Sequence, residues 1–162
     1  GEMTISVRPG SGLGIGRDEA RSRFFPSRRG TQIRDAVRAK LLDDSLVLCR
    51  FTSERGFGVY IEEPYARMVQ AVTGWDVTAA ELEQIGERVI NLERLFNVRE
   101  GVRRVDDALP WRVMHEPIPE GPSAGAHCPP EELGLMLDRY YALRGWDGDG
   151  VPTSERLGAL GL

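Results

Sequence analysis

The chain has 162 residues, enough to bury a core without disulfide staples, and its 41% hydrophobic and 28% charged residues suit a water-soluble domain or two small helical subdomains. A net charge of −4 and a pI of about 5.3 argue against nucleic-acid or membrane-surface binding. Two widely separated cysteines form neither a disulfide framework nor a zinc spacing, and no apolar run approaches the roughly 20 residues that span a membrane.

Residues 1–30 are read as a loop-rich or poorly ordered segment. The run Pro9-Gly10-Ser11-Gly12-Leu13-Gly14-Ile15-Gly16 fails the dinucleotide fingerprint, because Ile15 or Arg17 falls where a glycine or alanine is needed. Arg17 to Arg29 is arginine-rich and broken by Pro26. Gly1-Glu2-Met3 is not followed by the apolar region of a signal peptide.

From residue 31 the pattern becomes helical. Thr31 is a plausible N-cap, and Ile33, Val37, Leu41 and Leu42 recur at spacings of three and four. After Asp43-Asp44 the run Leu46-Val47-Leu48-Cys49 is densely apolar and reads as a buried helical turn rather than a strand, with Gly56 and Gly58 marking a loop beyond it. On local pattern alone Cys49 is either a small buried hydrophobe or a ligand or reactive thiol.

Pro64 suits a first helical turn, Tyr65, Met68, Val69 and Val72 follow at helix spacing, and Gly74 fits the stop. Thr78-Ala79-Ala80-Glu81 is a capping box, with Val77 and Leu82 as its hydrophobic staple. Leu82, Ile85, Val89, Leu92 and Phe96 then predict one buried face over about five turns, ended by Gly101. The prolines and glycines of 101–130 predict a long irregular connection of the kind that is functional or wraps a partner surface. Glu131 to Leu143 is a further helix with Leu133, Met136, Leu137, Tyr140 and Tyr141 as inward candidates, and Thr153 or Ser154 caps a short last helix. No alternation of period two supports a sheet. The expected fold is all-α, an irregular multihelical domain with long Pro/Gly-rich connections, divided as 1–30 and 31–162.

Three candidate chemistries fail on their residues. Aligning Gly150 with the central glycine of a calcium loop puts Gly145 and Arg156 where acids are required, so Asp147-Gly148-Asp149-Gly150 is read as a turn. His115 and His127 are the only histidines, and His127-Cys128 is poor chelate spacing. No nucleophile-elbow motif accompanies either histidine. Arg99, Arg103 and Arg104 beside Asp106-Asp107 read as cations at a helix C-terminus within an ion-pair network.

Three stretches carry a resemblance: Arg88 to Arg112 (RVINLERLFNVREGVRRVDDALPWR), Glu116 to Gly125 (EPIPEGPSAG) and Met136 to Leu162 (MLDRYYALRGWDGDGVPTSERLGALGL). In this order they resemble the C-terminal part of the tungsten-containing aldehyde:ferredoxin oxidoreductase family, and with the Cys49 segment the resemblance covers roughly residues 31–162. It implies a pterin-binding motif, Asp-x-x-Gly-Leu-Cys, at Asp44 to Cys49. Asp44 would contact the pterin, Leu48 would offer its backbone, Arg50 would adjoin the cofactor, and Cys49 would be the last thiolate of a [4Fe-4S] cluster beside a tungsten or molybdenum bis-pterin. Val47 departs from the motif glycine, and its side chain could crowd a close backbone approach.

The implied reaction is aldehyde plus water to carboxylic acid, with electrons passing to ferredoxin. The family's Cys-x-x-Cys-x-x-x-Cys segment and second pterin motif are absent from the 162 residues. The expectation is therefore a C-terminal domain that is inactive and cofactor-free by itself. Its partners would be the upstream catalytic portion of the same enzyme, ferredoxin and a homo-oligomer, in the cytoplasm, with no nucleic acid or membrane. The rival expectations are a non-catalytic binding or scaffold module descended from that family and a small enzyme using Cys49 alone.

Overall fold

The structure, a computed structural model, describes residues 37–49 and 63–162. The readings placed on the glycine-rich run, Thr31, Ile33, Arg50, Gly56 and Gly58 lie outside them. Among the described residues six α-helices follow in order: α1 over residues 37–45, α2 Glu63–Thr73, α3 Ala79–Arg99, α4 Trp111–His115, α5 Pro130–Arg144 and α6 Ser154–Leu160. A 3-10 turn, Arg104–Asp106, lies between α3 and α4. The described residues contain no strand, only an isolated bridge between Trp146 and Pro152. The all-α expectation holds.

Local chemistry sets most helix ends. Thr78 and Glu81 cap α3 reciprocally: the Glu81 amide donates to Thr78 Oγ1 (3.2 Å) and the Thr78 amide donates to Glu81 Oε2 (2.8 Å). The bonds from the Thr78 amide and hydroxyl hold the Glu81 carboxyl below its usual range. Thr153 caps α6 through a bond from the Arg156 amide, and Gly145 ends α5 with φ 71°. Asp147 Oδ1 accepts from the amides of Asp149 and Val151, so the Asp-Gly-Asp-Gly run is a side-chain-stabilised turn.

The apolar core joins α1, α2 and the start of α3: Leu42, Tyr65, Ala66, Val69, Val77 and Leu82, with Leu46 and Ile85 against it. A Cβ on Gly86 would lie 3.1 Å from Arg38 Cγ and 3.2 Å from the Arg38 carbonyl oxygen, so α1 crosses α3 at the residue that has no side chain to obstruct it.

Two expectations need correction. The inward stripe of α3 is Leu82, Gly86, Glu87, Ile90, Asn91 and Arg94, whereas Leu92 and Phe96 are 52% and 55% exposed. Beyond its first turns the helix turns a polar edge inward, because Glu87, Asn91 and Arg94 find partners on α5, α6 and the connections. Likewise Met68 and Val72 of α2 are exposed, while Tyr65, Ala66 and Val69 are buried. The 101–130 connection is irregular but built: the Ile118 amide donates to the Ala126 carbonyl, the Gly125 amide to the Ile118 carbonyl, and the Cys128 amide to the Val113 carbonyl.

Candidate functional site

Helix α1 stops in a way that presents the segment singled out by the sequence. The Leu48 amide donates to the Asp43 carbonyl (2.8 Å) and the Val47 amide to the Asp44 carbonyl (3.2 Å). These are the 6→1 and 5→2 bonds of a Schellman stop. Such a stop places one residue in the left-handed region, and that residue is Val47, with φ 57°. A β-branched side chain is a poor occupant there, since its Cβ crowds the following carbonyl. Val47 is 91% exposed, so packing of its own side chain does not hold it in place. The expected buried apolar turn is thus corrected: Leu46 packs on the core, while Val47, Leu48 and Cys49 face outward.

Asp44 is exposed and salt-bridged to Lys40 one turn earlier, and Cys49 is exposed beyond the stop. Of the four residues singled out, Asp44, Leu48 and Cys49 lie together at the end of α1, and Arg50 lies outside the described residues. The neighbouring Asp43 points the other way, into the protein. Its Oδ1 accepts from the Tyr65 hydroxyl on α2 at 2.5 Å, and both residues are buried. Burial lifts the Tyr65 phenol above its ordinary range, and the Asp43 carboxylate adds to the rise, so the phenol stays a donor. Sequence reasoning missed this pair; the three-residue spacing of Asp43 from Leu46, which packs on the core, was the available signal.

A metal site is not complete within the described residues, which hold no group of three or more His, Cys, Asp or Glu able to bind an ion.

The second half holds a buried ionic framework. Glu87 accepts from Arg144 Nη1 and Arg156 Nη2, each at 2.7 Å, with Arg144 wholly buried. Arg94 meets Asp107 with two bonds and donates through Nε to the Gly150 carbonyl (2.7 Å). Tyr141 also donates to Asp107, and the Trp146 indole donates to Asn91 Oδ1 at 2.9 Å. Burial pushes the Tyr141 phenol upward, reinforced by Asp107.

The expected ion-pair network after α3 is present with different pairings. Asp107 takes Arg94, Arg104 pairs with Asp138, and Arg103 donates to the Val98 and Val102 carbonyls at the end of α3. A cleft of about 240 Å³ lies over this framework, lined by Ile90, Arg94, Tyr140, Tyr141 and Trp146 among others. Arg94 stacks on the Trp146 ring at 5.0 Å, so the cleft wall is already engaged internally.

A family model described as aldehyde ferredoxin oxidoreductase, domains 2 and 3, matches residues 2–162. The chain belongs to the aldehyde ferredoxin oxidoreductase family. The tungsten-containing aldehyde ferredoxin oxidoreductase of Pyrococcus furiosus is 44% identical over 122 residues, which are 75% of this chain and 19% of that protein. The aliphatic sulfonate oxidoreductase WOR-like subunit of the same organism is 34% identical over 125 residues, again 74% of this chain against 19% of the relative.

Among solved structures, the BamBC active-site complex of benzoyl coenzyme A reductase with 1,5-dienoyl-CoA matches with a TM-score of 0.67. It is 28% identical and covers 85% of this chain and 19% of that one. The chain therefore spans about one fifth of the length of these relatives and corresponds to the C-terminal domain of an aldehyde ferredoxin oxidoreductase-type protein. Among the described residues no helix is long and apolar enough to cross a membrane.

Proposed function

We propose that this domain completes the cofactor site of an aldehyde-oxidising enzyme, with Cys49 as one thiolate of a [4Fe-4S] cluster and Asp44 and Leu48 as part of a bis-pterin wall. One observation supports it above the others. Val47 adopts the left-handed backbone that suits glycine, at the position where the family motif has glycine, and the next two residues face outward. The chain thus holds at residue 47 a backbone shape that glycine adopts most readily.

When bound, the tungsten or molybdenum bis-pterin would supply the oxidation of an aldehyde and water to a carboxylic acid with release of two protons and two electrons, which the cluster would pass toward ferredoxin. The chain's own part is to bind and orient. Asp44 offers a carboxylate acceptor once its exposed pairing with Lys40 yields, Leu48 offers a backbone contact, and Arg50 offers a cation from outside the described residues. Cys49 offers one soft ligand of four. The upstream catalytic portion, ferredoxin and a homo-oligomeric assembly are the partners of this reading. A cytoplasmic location is part of it, in keeping with two cysteines outside any disulfide.

The test is to produce the chain together with the upstream portion of its enzyme and to measure iron content and the cluster's reduced-state EPR signal. Cys49→Ala is expected to remove or convert the [4Fe-4S] signal, while Cys128→Ala leaves it intact. An unchanged cluster in Cys49→Ala overturns the ligand assignment and favours a non-catalytic scaffold role.

A further inference from the structure

The left-handed Val47 raises a physical question: what keeps α1 ending there, when the residue at the turn disfavours the turn? An L-residue is disfavoured in this region because its Cβ crowds the following carbonyl oxygen. The bonds of the stop are ordinary main-chain bonds, and an exposed 91% side chain adds nothing to them. Among the described residues, a contact that the stop itself holds in place can compensate. Asp43 is the residue positioned to supply it. Its carbonyl accepts the Leu48 amide at 2.8 Å, and its carboxylate accepts the Tyr65 hydroxyl at 2.5 Å. Both residues are buried, and Tyr65 belongs to the core cluster with Leu42, Ala66 and Leu82.

A continuous path therefore runs from α2 through the Tyr65 hydroxyl to the Asp43 side chain, from the Asp43 carbonyl to the Leu48 amide, and on to Cys49. We infer that Tyr65 is a positioning residue: its hydroxyl, through Asp43, anchors the Schellman stop that aims Cys49 outward, taking over a task that glycine at position 47 would otherwise lighten. That the aimed thiol serves a cluster rests on the proposed function, but the anchoring does not.

The anchoring is a coupling, so it has a signature that a simple core role lacks. Tyr65→Phe keeps the ring and removes only the hydroxyl. If Tyr65 and Val47 act on one stop, Val47→Gly rescues Tyr65→Phe. The measurement is native-state hydrogen exchange of the Leu46, Val47 and Leu48 amides in the full chain, together with the rate at which Cys49 reacts with Ellman's reagent in a Cys128→Ser background.

Tyr65→Phe is expected to speed exchange of these three amides by about 5–10-fold relative to the amides of α3, and to change the Cys49 reaction rate by a comparable factor, for loss of one buried hydrogen bond. Adding Val47→Gly is expected to return both to within about twofold of the parent. Three results would each overturn the proposal: no change in Tyr65→Phe, acceleration spread equally over α2 and α3, or no rescue by glycine. None of these readouts needs a cluster. A cluster signal that survives Cys49→Ala would fell the ligand assignment while leaving the anchoring to be judged on exchange alone.

Discussion

Arg94 and Asp107 meet fork to fork, Nη1 to Oδ1 at 2.9 Å and Nη2 to Oδ2 at 2.6 Å, across the gap between α3 and the turn that follows it. Arg94 is buried and Asp107 is partly so. The same carboxylate accepts the Tyr141 hydroxyl from α5. Three segments of the chain thus converge on one side chain, with geometry that makes a planar pair strong.

Asp107→Asn is the direct probe. It keeps the shape but removes the charge and turns a donor toward Arg94 and Tyr141, leaving a buried guanidinium without its carboxylate. The expected loss is about 3 kcal/mol, in the range for breaking a buried pair from one side. Thermal unfolding of the full chain should show a midpoint lower by about 10 °C. A shift within about 2 °C would mean that the fork contributes no more than a surface pair.

Gly150 closes the same framework from the opposite side. Its carbonyl accepts Arg94 Nε, its φ is 75°, and an added Cβ would sit 2.3 Å from Arg94 Nη2 and 2.9 Å from Tyr141 Cζ. Gly150→Ala therefore meets backbone strain and a pinned neighbour together, with an expected loss of about 3 kcal/mol in urea unfolding. Gly148→Ala, where nothing lies within 4 Å, is the control and should stay within about 0.5 kcal/mol.

What was legible in advance follows the range of the interactions. Thr78 with Glu81, Thr153, Gly74 and the Asp147–Gly150 turn were all readable, because each is decided by neighbours within a few residues. Leu92 and Phe96 were misread because helical spacing marks a stripe but not what the stripe faces. Glu87 with Arg144 and Arg156 was invisible because the partners lie 57 and 69 residues away. At the candidate site the sequence singled out Asp44–Cys49 but did not foretell the helix stop there: it suggested that Val47 could crowd a cofactor, and the backbone shows that residue 47 also ends α1.

The two buried tyrosines make the protein sensitive to alkali. Burial, together with Asp43 for Tyr65 and Asp107 for Tyr141, raises both phenols above their ordinary value of 10.0. The folded chain holds these protons when the unfolded chain has released them. Stability from this source is therefore fully present below pH 10 and is lost as pH rises beyond it, by up to about 1.4 kcal/mol per pH unit for each tyrosine. Urea midpoints between pH 9 and 11 should fall steeply in the parent and about half as steeply in Tyr141→Phe. Equal slopes would show that Tyr141 titrates alike in both states.

Val47→Gly is expected to stabilise the chain, the reverse of the usual effect of introducing glycine. At an ordinary helical position the substitution would cost about 0.5–1 kcal/mol, through greater freedom of the unfolded chain. At φ 57° it also relieves about 1–2 kcal/mol of left-handed strain, toward the upper end for a β-branched residue. The valine side chain is almost wholly exposed, so little buried surface is given up. The net expectation is a gain of about 1 kcal/mol, read as a higher urea midpoint with an unchanged denaturant slope. A loss of stability would mean that residue 47 leaves the left-handed region in solution, and that α1 ends by some other set of bonds than those from Val47 and Leu48 to Asp44 and Asp43.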